Sequence, residues 1–196
     1  MLQIRFHGRG GQGVVTAAEM LSVAAFEQGR HAQAFPSFGS ERTGAPVVAF
    51  CRIDDTGIRL REPVLAPDVL IVQDPTLLHQ VDVFQGLRPD GYVLINSRHG
   101  FDDLGLAEIA QRFRRERLMT VAATEIARKH LGRPMPNAVL LGGFAALSDM
   151  VSLDAVAHAI RVKFKGKLAD ANVAAAAEAF EFVQRALKEL SHAQAD

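Results

Sequence analysis

The sequence predicts an α/β fold, a mostly parallel sheet flanked by helices, on three observations. Short apolar runs alternate with longer stretches of helical periodicity along the chain. One of those runs, Val69-Leu70-Ile71-Val72, is continuously apolar, as a central strand buried on both faces must be. The first extended segment also passes through Gly8-Arg9-Gly10-Gly11-Gln12-Gly13 into a helical pattern, the strand, glycine-rich turn and helix that open a Rossmann-like domain.

Strands are expected over 2–7, 46–53, 69–73, 92–96 and 118–121, and helices over 14–28, 104–115, 122–131, 137–149, 152–163 and 171–190. Asp54-Asp55-Thr56-Gly57 has turn composition and Ile58-Arg59-Leu60 resumes an extended pattern, so a hairpin is expected there. Pro67-Asp68 leads into the apolar run at Val69, and Gln73-Asp74-Pro75 stops it. Pro89-Asp90-Gly91 turns the chain into Tyr92-Val93-Leu94-Ile95-Asn96. Leu131-Gly132-Arg133-Pro134-Met135-Pro136 ends one helix by glycine and proline, and Ser152-Leu153-Asp154 opens another with an N-cap. The alanine-rich tail places Val173, Ala177, Phe180, Val183 and Leu187 on one side at helical spacing, a stripe destined for the domain's own sheet or for a partner subunit. No repeat, linker or low-complexity tract divides the chain, and 1–196 reads as a single domain.

Composition narrows the function classes. With 22 basic and 22 acidic residues the chain has no net charge to draw it to nucleic acid or anionic lipid. The single cysteine, Cys51, has no internal partner, and no histidine and cysteine cluster has metal-ligand spacing, so no metal site and no iron–sulfur cluster of its own is expected. The start shows no signal-peptide pattern and no apolar run is long enough to span a bilayer, from which a cytoplasmic location is expected. His7 and His99 lack a nucleophile or ligand partner at suggestive spacing, and structural roles are expected for both.

The glycine turn is the candidate site. Gly8, Gly10 and Gly13 fit G-x-G-x-x-G, and a helix start presents unpaired N–H groups and a positive dipole end to an anion. A dinucleotide site also needs an acidic residue about 20 residues further on for the ribose. Arg30 to Ser37 contains none, and the next, Glu41, lies in a glycine-rich loop. Three readings stay open: a self-sufficient NAD or FAD site, a turn that only packs the helix, and a turn that holds a phosphate-bearing ligand or a partner chain. The loop Phe35 to Pro46 is the second candidate, because Arg42 among glycines offers a fork of donors suited to phosphate or carboxylate.

The ordered set Gly-x-Gly-Gly-Gln-Gly-Val from Gly8, then Phe-Gly-x-Glu-Arg-x-Gly-Ala-Pro-Val from Phe38, resembles the gamma subunit or gamma domain of the 2-oxoacid:acceptor oxidoreductases, of the pyruvate and ketoisovalerate type. Pro67-Asp68, Asp74, Asn96-Ser97, Thr124-Glu125-Ile126-Ala127, Leu131-Gly132-Arg133-Pro134, Asn137, Leu141-Gly142-Gly143 and Asn172 follow in the family's order, covering roughly 2–185. Thr43 stands where arginine is usual.

The resemblance implies a non-catalytic subunit of a complex that decarboxylates a 2-oxoacid oxidatively to an acyl-CoA. It implies thiamine diphosphate and magnesium on alpha and beta subunits, [4Fe–4S] clusters on a ferredoxin-like delta subunit, and in some complexes a flavin or NAD subunit. It implies electron delivery to ferredoxin or NAD, in anaerobic metabolism. For this chain it implies a loop site for coenzyme A, or a subunit contact framing that site, at Gly10, Gly11, Gln12, Gly13, Glu41, Arg42 and Gly44, with Asp74 and Asn96 as weaker candidates. A free-standing nucleotide-binding oxidoreductase and a pure assembly scaffold are the competing classes.

Overall fold

The structure, a computed structural model, describes residues 1–37 and 43–193. Its centre is a six-stranded sheet in the order β2-β3-β1-β4-β5-β6. The strands are β1 (Leu2–Arg9), β2 (His31–Pro36), β3 (Pro46–Asp54), β4 (Val69–Val72), β5 (Tyr92–Asn96) and β6 (Leu118–Val121). β1, β4, β5 and β6 pair in parallel, whereas β3 runs antiparallel between β1 and β2. The mostly parallel sheet therefore agrees with the expectation, with one strand reversed.

All four residues of β4 are buried, as its unbroken apolar run requires. β1 shows the other pattern. Ile4 and Phe6 enter the main core, while Arg5 and His7 alternate to the opposite face. Helix α1 (Val14–Glu27) crosses from β1 to β2 and lays Ala17, Ala18, Leu21, Ala24 and Ala25 against the sheet. Its small residues let the helix approach closely.

Strand β2 was not expected from the sequence. Its segment His-Ala-Gln-Ala-Phe-Pro has little intrinsic strand preference, and pairing along the whole of β3, from His31 with Asp54 to Pro36 with Ala49, orders it. The expected hairpin into Ile58-Arg59-Leu60 does not form. Residues 58–62 carry no strand. Their carbonyls serve a buried guanidinium instead, Arg52 donating to Leu60 O at 3.4 Å and to Glu62 O at 2.6 Å. Arg5 does the same for neighbouring loops, donating to Val64 O, Val83 O and Gln85 O. Two arginines thus pin irregular chain across the second face of the sheet.

The rest of that face carries a smaller core, with Leu70, Val72, Val93 and Ile95 of the sheet under Leu77, Val83, Phe101 and Leu106. The helix expected over 104–115 shrinks to α2 (Ala107–Ala110). Gly105 has a left-handed φ of 72° and Leu106 gives no side-chain cap, so the apolar spacing is met by a compact loop.

Helices α3 (Ala123–Leu131), α4 (Asn137–Ser148), α5 (Leu153–Lys163) and α6 (Gly166–Ala193) complete the main face. Ser152 caps α5 as expected, accepting from Ala155 N at 3.1 Å. α4 is buried on nearly every side because α6 covers it. α6 is longer than expected, and its buried line is Ala169, Asn172, Ala175, Ala176, Ala179 and Val183. Val173, Phe180 and Leu187 flank that line. The stripe is received mainly by α3, α4 and α5 rather than by the sheet.

A Cβ on Gly142 would run into the Ala176 carbonyl of α6, whereas one on Gly143 would meet only side chains at 3.5 to 3.6 Å. Gly142→Ala is expected to destabilise the fold by about 2 kcal/mol, and Gly143→Ala to be neutral or slightly stabilising, in urea unfolding. His7 is held neutral down to about 4, chiefly by burial and then by the Arg5 charge. The unfolded chain takes up this proton near the ordinary value of about 6.5, so stability contributed by neutral His7 is present above that pH and is lost as pH falls toward 4. His7→Phe is expected to flatten the acid-side slope of stability against pH between those values.

Candidate functional site

Five strands run in one direction, and the carboxyl ends of β1, β4 and β5 lie together beside the start of α1. This is the edge at which open α/β sheets hold ligands. The turn Gly8 to Gly13 sits on it. Gly8 is needed for close packing, since a Cβ there would come within 2.5 Å of Val14 Cγ2 and 3.1 Å of Gln12 Oε1. Gly13 is the N-cap of α1 at φ 69° and ψ 36°, a left-handed conformation, and its missing Cβ leaves room for the Asn137 amide.

The turn is bracketed by side chains rather than by backbone alone. Gln12 Oε1 accepts from Arg9 N at 2.7 Å, while Gln12 Nε2 donates to Asp74 Oδ2 at 2.7 Å. Arg9 Nε pairs with the same Asp74 oxygen at 3.2 Å. The other Asp74 oxygen accepts from Thr76 N at 3.0 Å and Thr76 Oγ1 at 2.6 Å. Burial alone would raise the Asp74 carboxyl. The hydrogen bonds from Thr76 and Gln12 and the charge of Arg9 outweigh it and hold the group below its ordinary value. Every Asp74 oxygen is therefore engaged within the fold, and this acid at the end of β4 is not free to hold a ribose.

Arg9 extends the bracket to the second loop. Its Nη1 donates to Gly44 O at 3.1 Å and its Nη2 to Gln80 Oε1 at 2.8 Å. Gly44 N donates to Gly10 O at 3.1 Å, and Gly10 N to Ala45 O at 2.9 Å. Gly10, Gly11, Gln12, Gly13 and Gly44 are thus brought together. Glu41 and Arg42 lie outside the described residues.

These bonds divide the turn's donors. The N–H groups of Gly10 and Gln12 are used internally, Gln12 N donating to Arg9 O at 3.1 Å. Those of Gly11, Gly13, Val14, Val15 and Thr16 have no acceptor among the described residues. These residues line a hollow of about 350 Å³ over the start of α1, together with Arg133, Asn137 and Lys163. Lys163 reaches Glu19 at 3.0 Å, while Arg133 forms no ion pair among the described residues. Helix-start donors with a flanking guanidinium suit an anion. A second hollow of about 490 Å³ opens on the sheet side of the same turn, lined by Gln73, Asp74, Asn96, Thr124 and Met135. Asn96 is fixed there by Gln73 O and Thr124 Oγ1, each at 2.8 Å.

Sequence reading singled out neither Gln73 nor Lys163 and gave Arg133 no ligand role. A polar residue closing an apolar strand is a usable signal for Gln73. The other two are brought in by packing of distant helices. Cys51 is wholly buried in β3, and burial pushes its thiol well above the ordinary range. One buried thiol does not fit an iron–sulfur cluster, which requires four ligands. Among the described residues no group of three His, Cys, Asp or Glu side chains converges on a metal position. No helix among them is long and apolar enough to cross a membrane.

Fold and site together define an α/β chain with a glycine turn at the carboxyl edge of its sheet, whose helix-start N–H groups have no acceptor among the described residues. Residues 3–182 match the family described as pyruvate ferredoxin/flavodoxin oxidoreductase. The chain belongs to that family, as a gamma-type member. It is 49% identical over 181 residues to the pyruvate synthase subunit PorC of Methanothermobacter marburgensis, covering 92% of this chain and 97% of that one. It is 46% identical over 186 residues to the common gamma subunit of the pyruvate/ketoisovalerate oxidoreductases of Pyrococcus abyssi, covering 94% and 98%. The crystal structure of the pyruvate oxidoreductase subunit PORC from Thermotoga maritima superposes with a TM-score of 0.77 at 36% identity, covering 92% and 95%. A 2-oxoglutarate:ferredoxin oxidoreductase from Magnetococcus marinus, solved with coenzyme A bound, shares the fold at a TM-score of 0.74 and 18% identity. There the likeness covers 94% of this chain and 31% of that one.

Asp74→Ala removes the acceptor shared by Gln12 and Thr76 and the ion-pair partner of Arg9, and urea unfolding at pH 7 is expected to show a loss of about 2 kcal/mol. Because the folded carboxyl is held low, its contribution is present above the ordinary value of about 4 and is lost as pH falls through the folded one. The gap between parent and variant is expected to close at the acid end.

Proposed function

We propose that this chain is the gamma subunit of a thiamine-diphosphate-dependent 2-oxoacid:acceptor oxidoreductase, a single non-catalytic domain whose glycine turn receives the phosphate groups of coenzyme A. The observation that carries the ligand assignment is the division of donors at the turn. The N–H groups of Gly11, Gly13, Val14, Val15 and Thr16 stay unspent over a hollow bordered by Arg133, while the nearest strand-end acid, Asp74, is saturated. A phosphate is accommodated and a dinucleotide ribose has no carboxylate among the described residues, a combination that favours coenzyme A over NAD or FAD.

The relatives named as subunits of pyruvate and ketoisovalerate oxidoreductases support placement in a complex of that kind. The donor set of this chain does not suit clusters, so thiamine diphosphate, magnesium and [4Fe–4S] clusters belong on the alpha, beta and delta partners, and no chemical step is assigned to this chain. Its residues bind, orient and neutralise charge. Arg42, next in sequence to Thr43, which bridges to Gly10 of the turn, is the further cation for the phosphates, and Glu41 and Gly44 complete the loop. The complex would work in the cytoplasm.

In the complex purified without oxygen, Arg133→Ala and Arg42→Ala are each expected to raise the KM for coenzyme A about tenfold, with the KM for the 2-oxoacid unchanged. Normal assembly with an unaltered KM for coenzyme A in both variants overturns the ligand assignment. Loss of assembly in both, with parental kinetics in any surviving complex, assigns the turn to a subunit contact.

A further inference from the structure

Gln73 is the polar residue that ends β4, and it is only 1% exposed. Its backbone is fully used, N donating to His7 O at 2.7 Å and O accepting from Asn96 Nδ2 at 2.8 Å. Its side-chain amide is used by half. Nε2 donates to Gln12 O at 3.0 Å, whereas Oε1 is buried without a donor among the described residues. The two ends of this amide are not interchangeable. Rotating it would set two carbonyl oxygens against each other at Gln12, so the bond to Gln12 O fixes which end is the oxygen. A buried acceptor left unpaired is costly, and such groups ordinarily find a partner.

The residue lines the sheet-side hollow, next to Asn96 and Thr124. That hollow shares Gly10, Gly11, Arg133 and Met135 with the hollow over α1. The two differ in chemistry. Away from the shared residues, the free N–H groups of Gly13 to Thr16 belong to one, while the other is walled by Gln73, Asn96, Thr124 and prolines around a carboxylate whose charge is compensated by Arg9. A ligand lying across the shared glycines and Arg133 would meet the donors of Gly13 to Thr16 on one side and, on the other, uncharged amide and hydroxyl side chains with the unpaired Gln73 acceptor among them.

We infer that the sheet-side hollow receives an uncharged, N–H-bearing group of the ligand whose phosphates lie at α1, and that Gln73 Oε1 accepts its hydrogen bond. This inference depends on the phosphate-binding role proposed for the turn. For coenzyme A the donor is an amide N–H of the pantetheine arm or the exocyclic amine of adenine, and both present the same chemistry to Gln73. Gln73 then selects the ligand by what it donates. A site built around a buried acceptor discriminates against an analogue that lacks the donor.

The test is competitive binding of analogues to the intact complex. Coenzyme A with its pantetheine amides replaced by esters removes one kind of donor, and N6,N6-dimethyladenine coenzyme A removes the other. One of the two is expected to bind the parent about tenfold more weakly than coenzyme A, identifying the source of the N–H, and Gln73→Met is expected to abolish that difference. Equal binding of coenzyme A and both analogues by the parent overturns the inference, and this arm needs no variant to fold. Retention of the discrimination in a folded Gln73→Met complex overturns it as well. Inorganic pyrophosphate separates this from failure of the underlying reading. Its competition is expected to weaken about tenfold in Arg133→Ala, and no change in Arg133→Ala would remove the phosphate site itself.

Discussion

The carboxylate of Asp74 is the point on which the geometry of the site depends. It sits at the end of β4, takes hydrogen bonds from Gln12 and Thr76, and forms an ion pair with the Arg9 guanidinium. Each of those donors controls a separate piece of chain. Gln12 sets the glycine turn, Thr76 starts the short helical turn Pro75–His79, and Arg9 reaches on to Gly44 in the second loop. Charge-assisted bonds of this kind are stronger than neutral ones, and their convergence ties the three segments to one carboxylate. What remains unspent after the bracket is satisfied is the set of N–H groups at the start of α1.

Much of this was legible in the sequence because strong local signals coincide with the fold. The run at Val69 announces the central strand, and glycines at a strand-to-helix junction announce the turn. Gly8 and Gly13 then prove necessary for different reasons, the first for packing against Val14 and the second for a left-handed cap beside Asn137. The absence of an acid between Arg30 and Ser37 already argued against a dinucleotide.

Elements fixed by tertiary contact were not legible. β2 is held by its ladder with β3, the arginine-pinned chain at 58–62 replaces a hairpin, and α2 is cut short at Gly105. In the site, Gln12 is named by the resemblance as part of the loop, but that its side chain braces the turn and its N–H is engaged with Arg9 is set by the folded contacts. Asp74 was recognisable as a strand-end acid, but its saturation depends on partners up to 65 residues away, from Arg9 to Asp74, that no local pattern reveals. Gln73, Arg133 and Lys163 join the site through the same long-range assembly.

Belonging to the pyruvate ferredoxin/flavodoxin oxidoreductase family sets the setting in which these residues act, and the turn sets what this chain can contribute to it. The most direct measurement is an electron density map of the intact complex with coenzyme A bound. The account predicts the ligand's phosphate density within hydrogen-bond distance of the N–H groups of Gly13 to Thr16. Phosphate density held wholly by other subunits, with the start of α1 covered by a partner chain, would contradict it.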